Sequence, residues 1–405
     1  MVIRCESDRL KILHVNHLLD PISGGGTAER TIQLTRFLMK QGAECAILTI
    51  DIGETIPTEN ELEGARVFKL ACFNRRYYVY ISWPFRIRKL ISQFDVVHLM
   101  GHWTLLNAMV ALSCIHQGKP YVVCPAGALK SFGRSRWLKR VYDFVIGRRV
   151  IQAASGWIAI TEAEKMDFIH YGITPDSVVV IPNGIDPDQY VESAKSQISI
   201  LTKLGLTQQD SYLLFLGRLN AIKGPDLLLE AFIEVADKFP KLHLIFAGPD
   251  SGLQSRLEMI SSQSTATRRI HFTGYIGGLD KVHVLRNALC LVIPSRNEAM
   301  SIVVLEAGVC GTPVVFTDKC GLDNIAHRGA GIMVGASAKS IRDGLIQALS
   351  DLTNLHQTGE LLKVIVREEF LWQSQAKRYN LFYQQLLKNK KKKSRRLLDC
   401  SFIKK

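Results

Sequence analysis

Arg218 and Lys223 stand five residues apart in the run Leu216-Gly217-Arg218-Leu219-Asn220-Ala221-Ile222-Lys223-Gly224-Pro225. A guanidinium offers a planar fork of donors and an ammonium a compact charge, so across a strand-to-helix turn both could converge on one diphosphate. Two carboxylates, Glu298 and Glu306, stand eight apart in Pro294-Ser295-Arg296-Asn297-Glu298-Ala299-Met300-Ser301-Ile302-Val303-Val304-Leu305-Glu306-Ala307. That spacing puts one in a loop and the other about two turns into a helix. No His or Asp accompanies them, so no metal site is expected. An ionised carboxylate only accepts hydrogen bonds, which suits vicinal hydroxyls of ribose or a sugar.

A third run, Ser23-Gly24-Gly25-Gly26-Thr27-Ala28-Glu29-Arg30, follows a strand and opens a helix. Glycines without Cβ let backbone N–H groups approach an anion, and a helix N-terminus adds partial positive charge. A bland glycine turn would read the same way. The spacing is not the dinucleotide G-x-G-x-x-G, which removes support for a nicotinamide-dependent dehydrogenase.

The elements that must position these runs alternate. Short apolar, β-branched strand candidates cover 11–16, 44–50, 96–100, 121–125, 156–160 and 178–182, then 212–217, 242–248, 270–274, 289–294, 313–317 and 331–334. Helical patterns lie between most of them, for example 27–40, 224–238 and 300–310. Such alternation means parallel sheets built from βαβ units. Twelve strands would strain one open sheet, so two doubly wound, Rossmann-like domains with a cleft between them are expected, in the α/β class. The punctuation Ile181-Pro182-Asn183-Gly184-Ile185-Asp186-Pro187 marks the break: an N-terminal domain over 1–187, a second over 188–369, a last helix over 370–387 and a basic tail over 388–405. The motifs fall at strand ends, where ligands of open α/β sheets bind.

The chain has 405 residues, 47% hydrophobic and 22% charged, so there is ample apolar surface to bury and disorder is excluded for most of it. No repeat recurs at solenoid periods. No uninterrupted apolar run could span a bilayer, and acids occupy the first residues where a signal peptide needs an apolar stretch. The nine cysteines are scattered, Cys310 and Cys320 flanking a motif, and are read as reduced, which fits a cytoplasmic protein.

The net charge of +14 is concentrated in two places. Residues 130–150 hold seven basic side chains and one acid, Asp143, and 388–405 hold nine and one. A nucleic-acid protein more often carries its charge along a whole face, so no nucleic acid is expected. Two discrete patches suit a local anionic partner such as acidic lipid. In the first, Trp137, Val141, Phe144 and Val145 interleave with the bases at helical spacing. Either that apolar stripe packs on the core, or the helix lies on a membrane surface. The second is expected to be disordered, because like charges repel.

Gly217-Arg218…Lys223-Gly224, the Glu298-to-Glu306 run and Cys310-Gly311-Thr312-Pro313-Val314-Val315 resemble glycosyltransferase family 4. So do 24–30, Asp95-Val96-Val97-His98, 181–186 and Phe370-Leu371-Trp372, in the family's order over about 370 residues. The resemblance implies the GT-B fold and a retaining, metal-independent hexosyltransferase that takes its sugar from a nucleotide diphosphate and needs no cofactor. Arg218 and Lys223 would stabilise the departing diphosphate as it gains charge. Glu306 would bind ribose hydroxyls and Glu298 the donor sugar, with backbone N–H groups of Ala299, Met300 and Ser301 on the phosphate. Gly25 and Gly26 would cap the diphosphate from the first domain.

Two departures stand out. The loop after Glu298 lacks the usual glycine, and Met300 is placed to shape the sugar pocket. Met100 stands where family members often carry a second His, in His98-Leu99-Met100-Gly101-His102-Trp103. His98 or His102 would contact donor or acceptor, with His102 favoured; a structural histidine bonded to backbone is the alternative for each. Cys124-Pro125-Ala126-Gly127-Ala128-Leu129-Lys130 resembles the acceptor loop of enzymes building bacterial surface polysaccharides such as lipopolysaccharide or exopolysaccharide, which points to Gly127 and Lys130. The implied acceptor is a glycan or a lipid-linked sugar at the inner leaflet, reached by peripheral contact through 130–150 and 388–405. Arg75-Arg76-Tyr77-Tyr78, Trp83 and Phe85 would reach the acceptor or pack on the sheet, the latter favoured. Two rival functions are a nucleotide-sugar epimerase of GT-B type, against which the paired glutamates argue, and a non-catalytic protein binding anionic surfaces.

Overall fold

The computed structural model describes residues 9–74, 79–80, 84–130, 136–191, 200–207 and 209–402. The chain forms two compact units, 1–183 together with 372–405, and 184–371. The crossing at Asn183–Gly184 falls inside the Pro/Asn-Gly punctuation. No described helix is long and apolar enough to cross a membrane.

The first unit holds strands β1 (Lys11–Val15), β2 (Glu44–Ile50), β3 (Arg66–Leu70), the short antiparallel pair β4 (Cys72–Asn74) and β5 (Val79–Tyr80), then β6 (Val96–Met100), β7 (Tyr121–Cys124), β8 (Gly156–Ala159) and β9 (Val178–Val180). Apart from the β4–β5 pair they make one parallel sheet in the order β3-β2-β1-β6-β7-β8-β9. Strands buried on both faces read as continuous apolar runs, and Leu13, Val15, Val97, Leu99 and Val123 fill the core. The order reverses between β1 and β6, the crevice position for a ligand in such sheets.

The second unit repeats the plan with β10 (Ser211–Leu216), β11 (Leu242–Ala247), β12 (Ile270–Gly274), β13 (Cys290–Ile293), β14 (Val314–Thr317) and β15 (Ile332–Val334), ordered β12-β11-β10-β13-β14-β15, all parallel. Its reversal lies between β10 and β13, the two strands that lead into Gly217-Arg218 and Pro294-Ser295. Leu213, Phe215, Leu244, Phe246 and Val292 pack beneath the helix Pro225–Ala236 through Leu228, Phe232 and Val235.

The helix Trp372–Phe402 returns to the first unit. Tyr379 and Tyr383 are fully buried there, and the Tyr383 hydroxyl lies 2.7 Å from His98 Nδ1. Arg30, also buried, donates to Asn183 Oδ1 at 3.0 Å, to the Ile181 carbonyl at 3.3 Å and to the Tyr379 hydroxyl. The described part of the basic tail, expected to be disordered, continues this helix to Phe402. Lys, Arg and Leu are good helix formers, and extending a helix that is already docked needs no new nucleus.

Candidate active site

Of the expected donor-binding residues, the second unit brings Lys223 and Glu298 together at its reversal point. The turn after β10 is closed by Gly224, at φ 68°, where a Cβ would stand 2.1 Å from the Pro294 carbonyl oxygen. Only glycine lets the 218–224 turn lie against the 294–298 loop. Arg296 locks the two together: its guanidinium pairs both oxygens of Asp226 at 2.8 and 2.7 Å, and its backbone N–H donates to Ile222.

Held this way, Lys223 Nζ lies 2.9 Å from Glu298 Oε1. The carboxylate is nine-tenths buried and also accepts from the Ser295 hydroxyl. Arg218 is exposed at the mouth of the same turn. Next to Glu298, the loop is pinned by Glu298 N–H to the Lys319 carbonyl at 2.8 Å and Ser301 N–H to the Cys320 carbonyl at 3.1 Å. Among the described residues, the N–H groups of Ala299 and Met300 have no protein acceptor. The helix Ile302–Cys310 begins at Ser301, whose buried hydroxyl has no hydrogen-bond partner. Free N–H groups and a helix N-terminus make an anion cradle beside a cation–carboxylate pair. Met300 is buried, its side chain part of the packing around this loop.

Glu306 sits two turns inside that helix and meets a partner the sequence did not suggest. Lys281, from the helix Gly278–Asn287, lies 3.1 Å from Glu306 Oε1 and 3.3 Å from the Tyr190 hydroxyl, with its ammonium 5.3 Å from the Tyr190 ring centre. Each glutamate of the motif therefore has its own lysine. Among the described residues no group of three or more His, Cys, Asp or Glu could hold a metal ion.

In the first unit, the glycine run lies within the opening turns of the helix Pro21–Lys40, which breaks at Gly25 (φ 56°, ψ −141°). Asp20 caps it, accepting from the N–H groups of Ile22 and Ser23. Gly25 is half-buried and Gly26 exposed, so their backbone is open at the end of β1.

The two histidines correct the sequence-based expectation. His98 lies inside the core, fully buried, between His14 and Tyr383. His102 is also buried, with Nε2 3.0 Å from Asp143 Oδ1 and Trp103, Tyr142 and Tyr171 around its ring. Both rings are buried and held by side chains and not by backbone, His98 by the Tyr383 hydroxyl and His102 by the Asp143 carboxylate.

The loop after β7 is braced from below. Glu164, 3% exposed, accepts from the N–H groups of Gly127 and, at 2.7 Å, Ile160. Burial pushes its carboxyl above the usual range. Ala126 is held at φ 51°, a strained value for a residue with Cβ. Lys130 is mostly exposed and lies 3.5 Å from Asp167. Residues 75–78 and Trp83 lie outside the described residues; Phe85 is 72% exposed, not packed on the sheet as favoured. Cys45, Cys72, Cys114, Cys124, Cys290, Cys310 and Cys320 are free thiols.

Comparison with known proteins follows this division. Residues 24–189 match the family described as Glycosyltransferase Family 4, and residues 197–361 match Glycosyl transferases group 1. An uncharacterized glycosyltransferase of Methanocaldococcus jannaschii is 25% identical over 402 residues, 91% of this chain and 96% of the relative. A D-inositol 3-phosphate glycosyltransferase of Corynebacterium jeikeium is 29% identical over 249 residues; the match spans 59% of this chain and 59% of that protein's length. The crystal structure of HepE from Anabaena in complex with UDP-glucose superposes with a TM-score of 0.76 at 19% identity, over 93% of this chain and all of HepE. WaaG, a glycosyltransferase involved in lipopolysaccharide biosynthesis, gives 0.66 at 18% identity, over 91% of this chain and 99% of WaaG. At such identities these likenesses speak to fold alone, which is GT-B. With one family motif in each half, the Lys223–Glu298 and Lys281–Glu306 pairs at the reversal point and the GT-B architecture, the chain belongs to glycosyltransferase family 4.

Proposed function

We propose that the protein transfers a hexose from a nucleotide-diphosphate sugar to a glycan or lipid-linked acceptor, with retention at the anomeric carbon and without a metal ion, in the making of a bacterial cell-surface polysaccharide. The observation that carries this reading is the cradle of the second unit: Lys223 against Glu298, the open N–H groups of Ala299 and Met300, and the partnerless Ser301 hydroxyl at a helix N-terminus.

In this reading the cradle takes the donor's phosphates. Lys223 and the exposed Arg218 meet the charge that grows on the leaving diphosphate as the glycosidic bond breaks. Glu298, aligned by Lys223 and Ser295, accepts from hydroxyls of the transferred sugar. Glu306, steadied by Lys281, accepts from the ribose. The leaving phosphate takes the proton of the attacking hydroxyl, which arrives on the face it vacates. No histidine is assigned a step, because both candidates are buried. On the acceptor side, the Gly127 loop and Lys130 are the groups offered by the first unit. The complex of HepE with UDP-glucose favours a nucleotide-sugar donor.

The test is release of nucleotide diphosphate from a panel of nucleotide sugars, with and without acceptors that include lipid-linked sugars and inositol 3-phosphate, in the presence of a chelator. Acceptor-dependent release that survives chelation is expected. Sugar isomerisation with no acceptor would favour the epimerase instead, and loss of turnover on chelation would overturn the metal-free mechanism.

A further inference from the structure

Residues 136–152 form a continuous rod: the helix Arg136–Tyr142, a π-helical turn Asp143–Gly147 and the helix Arg148–Gln152. One side is ordinary. Tyr142, Ile146, Val150 and Ile151 pack into the core of the first unit. The other side should be polar in a surface helix, and it is not. Trp137 is 66% exposed, Val141 50%, Phe144 90% and Val145 69%. Contiguous exposed apolar side chains mark an interaction surface.

The charges on this side have one sign. Arg140, Arg148 and Arg149 are exposed and Lys139 partly so. The only acid, Asp143, is turned inward, where it takes the Tyr171 hydroxyl at 3.0 Å and lies 3.0 Å from His102. The π turn makes this division: it tucks Asp143 in while Phe144 and Val145 point out. Gly147 makes room, since a Cβ there would stand 2.3 Å from Asp143 Oδ1.

We infer that this outer face docks the protein on an anionic lipid bilayer. A bilayer satisfies both halves of the pattern: the apolar side chains enter the headgroup–acyl boundary and the cations meet lipid phosphates. A second copy of the chain on a two-fold axis would set the same cations against each other. A protein partner's interface core excludes lysine and tolerates few unpaired charges. A nucleic acid would leave Phe144 and Val145 in water. Beside the face lies a recess of about 370 Å³ whose lining includes Lys130, Lys139, Arg140 and His170 together with Asp143 and Asp167, large enough for a headgroup phosphate. The inference stands apart from sugar transfer, because donor turnover is a separate measurement.

The experiment is flotation of the full chain with vesicles of phosphatidylcholine alone and with phosphatidylglycerol added, at low and high salt. The protein should float with the anionic vesicles only, and less as salt rises. Arg148→Gln with Arg149→Gln should lower the partition roughly thirty-fold, about fivefold per charge. Phe144→Asp with Val145→Asp should abolish flotation. Quenching by bromine-labelled acyl chains should drop in Trp137→Phe. These side chains are exposed, so the variants keep the parent's melting temperature. Failure of the parent chain to float, or equal flotation of the Phe144/Val145 variant, overturns the inference. So does loss of binding only when the lysines of 388–393 are neutralised, or a dimer in solution that the face variant dissolves.

Discussion

Replacing Lys223 by alanine separates the structural role of this side chain from the chemical role proposed for it. Lys223 is the cation of Glu298, and in the proposed reaction it is also a cation of the leaving diphosphate. The structural role is limited. Glu298 is 9% exposed and keeps the Ser295 hydroxyl after the truncation, so the loss is that of one partner to a buried acceptor, about 1–3 kcal/mol. A domain of ordinary stability, about 5–15 kcal/mol, stays folded through that loss at 25 °C. The chemical role is larger in its effect: removing one preorganised charge from a transition state lowers kcat by about 10²–10³. The assay is nucleotide-diphosphate release at saturating donor, with a thermal melt alongside. Lys223→Ala should melt lower and lose kcat. Adding Glu298→Gln should recover most of the melting temperature, because no buried charge is left alone, while kcat stays low. A folded Lys223→Ala protein within threefold of the parent kcat would refute the assignment. Recovery of both stability and kcat in the double variant would reduce the pair to a brace.

Glu306→Ala should raise the donor's KM by roughly ten- to a hundred-fold with little change in kcat, the worth of one charged hydrogen bond made equally in ground and transition states; steady-state kinetics checks it. Gly224→Ala puts Cβ on a left-handed residue against the Pro294 carbonyl, and should cost more than about 1–2 kcal/mol in a denaturant melt while disrupting the cradle. His14 is fully buried, both its ring nitrogens lack partners, and burial pushes its pKa down to about 3. The unfolded chain binds that proton near 6.5, so the stability is complete above that pH and declines at up to about 1.4 kcal/mol per unit as pH falls toward 3. His14→Leu loses no hydrogen bond and should flatten part of this acid slope in melts between pH 7 and 5; His17, lowered to about 4, and His98, also depressed, keep the remainder.

Much of the architecture was legible because parallel strands buried on both faces announce themselves as unbroken apolar runs. β7 and β13 are such runs. β3 is not: Arg66-Val67-Phe68-Lys69-Leu70 is an edge strand whose apolar run is broken by two cations, and it escaped the reading. The Asp20-capped turn from Pro21 to the break at Gly25 escaped the reading because the glycines read as loop, while the helix beyond the break agrees with 27–40. Arg218, Lys223, Glu298 and Glu306 were legible as a set, since each lies at a strand end or one helix away from it. Their partners were not. Lys281 reaches Glu306 from a neighbouring helix, and nothing local marks it. The burial of His98 depends on Tyr383, 285 residues further along the chain, so adjacency in sequence pointed to chemistry where packing placed a core contact. The apolar stripe of 136–152 had two faces open to it, and sequence spacing alone is blind to which one the π turn selects.

The return of the last helix to the first unit sets an order of events at the ribosome. Residues 184–371 form a contiguous unit, whereas 1–183 must wait for 372 onward before Arg30 meets Tyr379 and His98 meets Tyr383. The half made first is thus completed last. A stop codon just after residue 371 would leave 184–371 whole and the other half with an uncovered guanidinium, a substrate for chaperones and proteases.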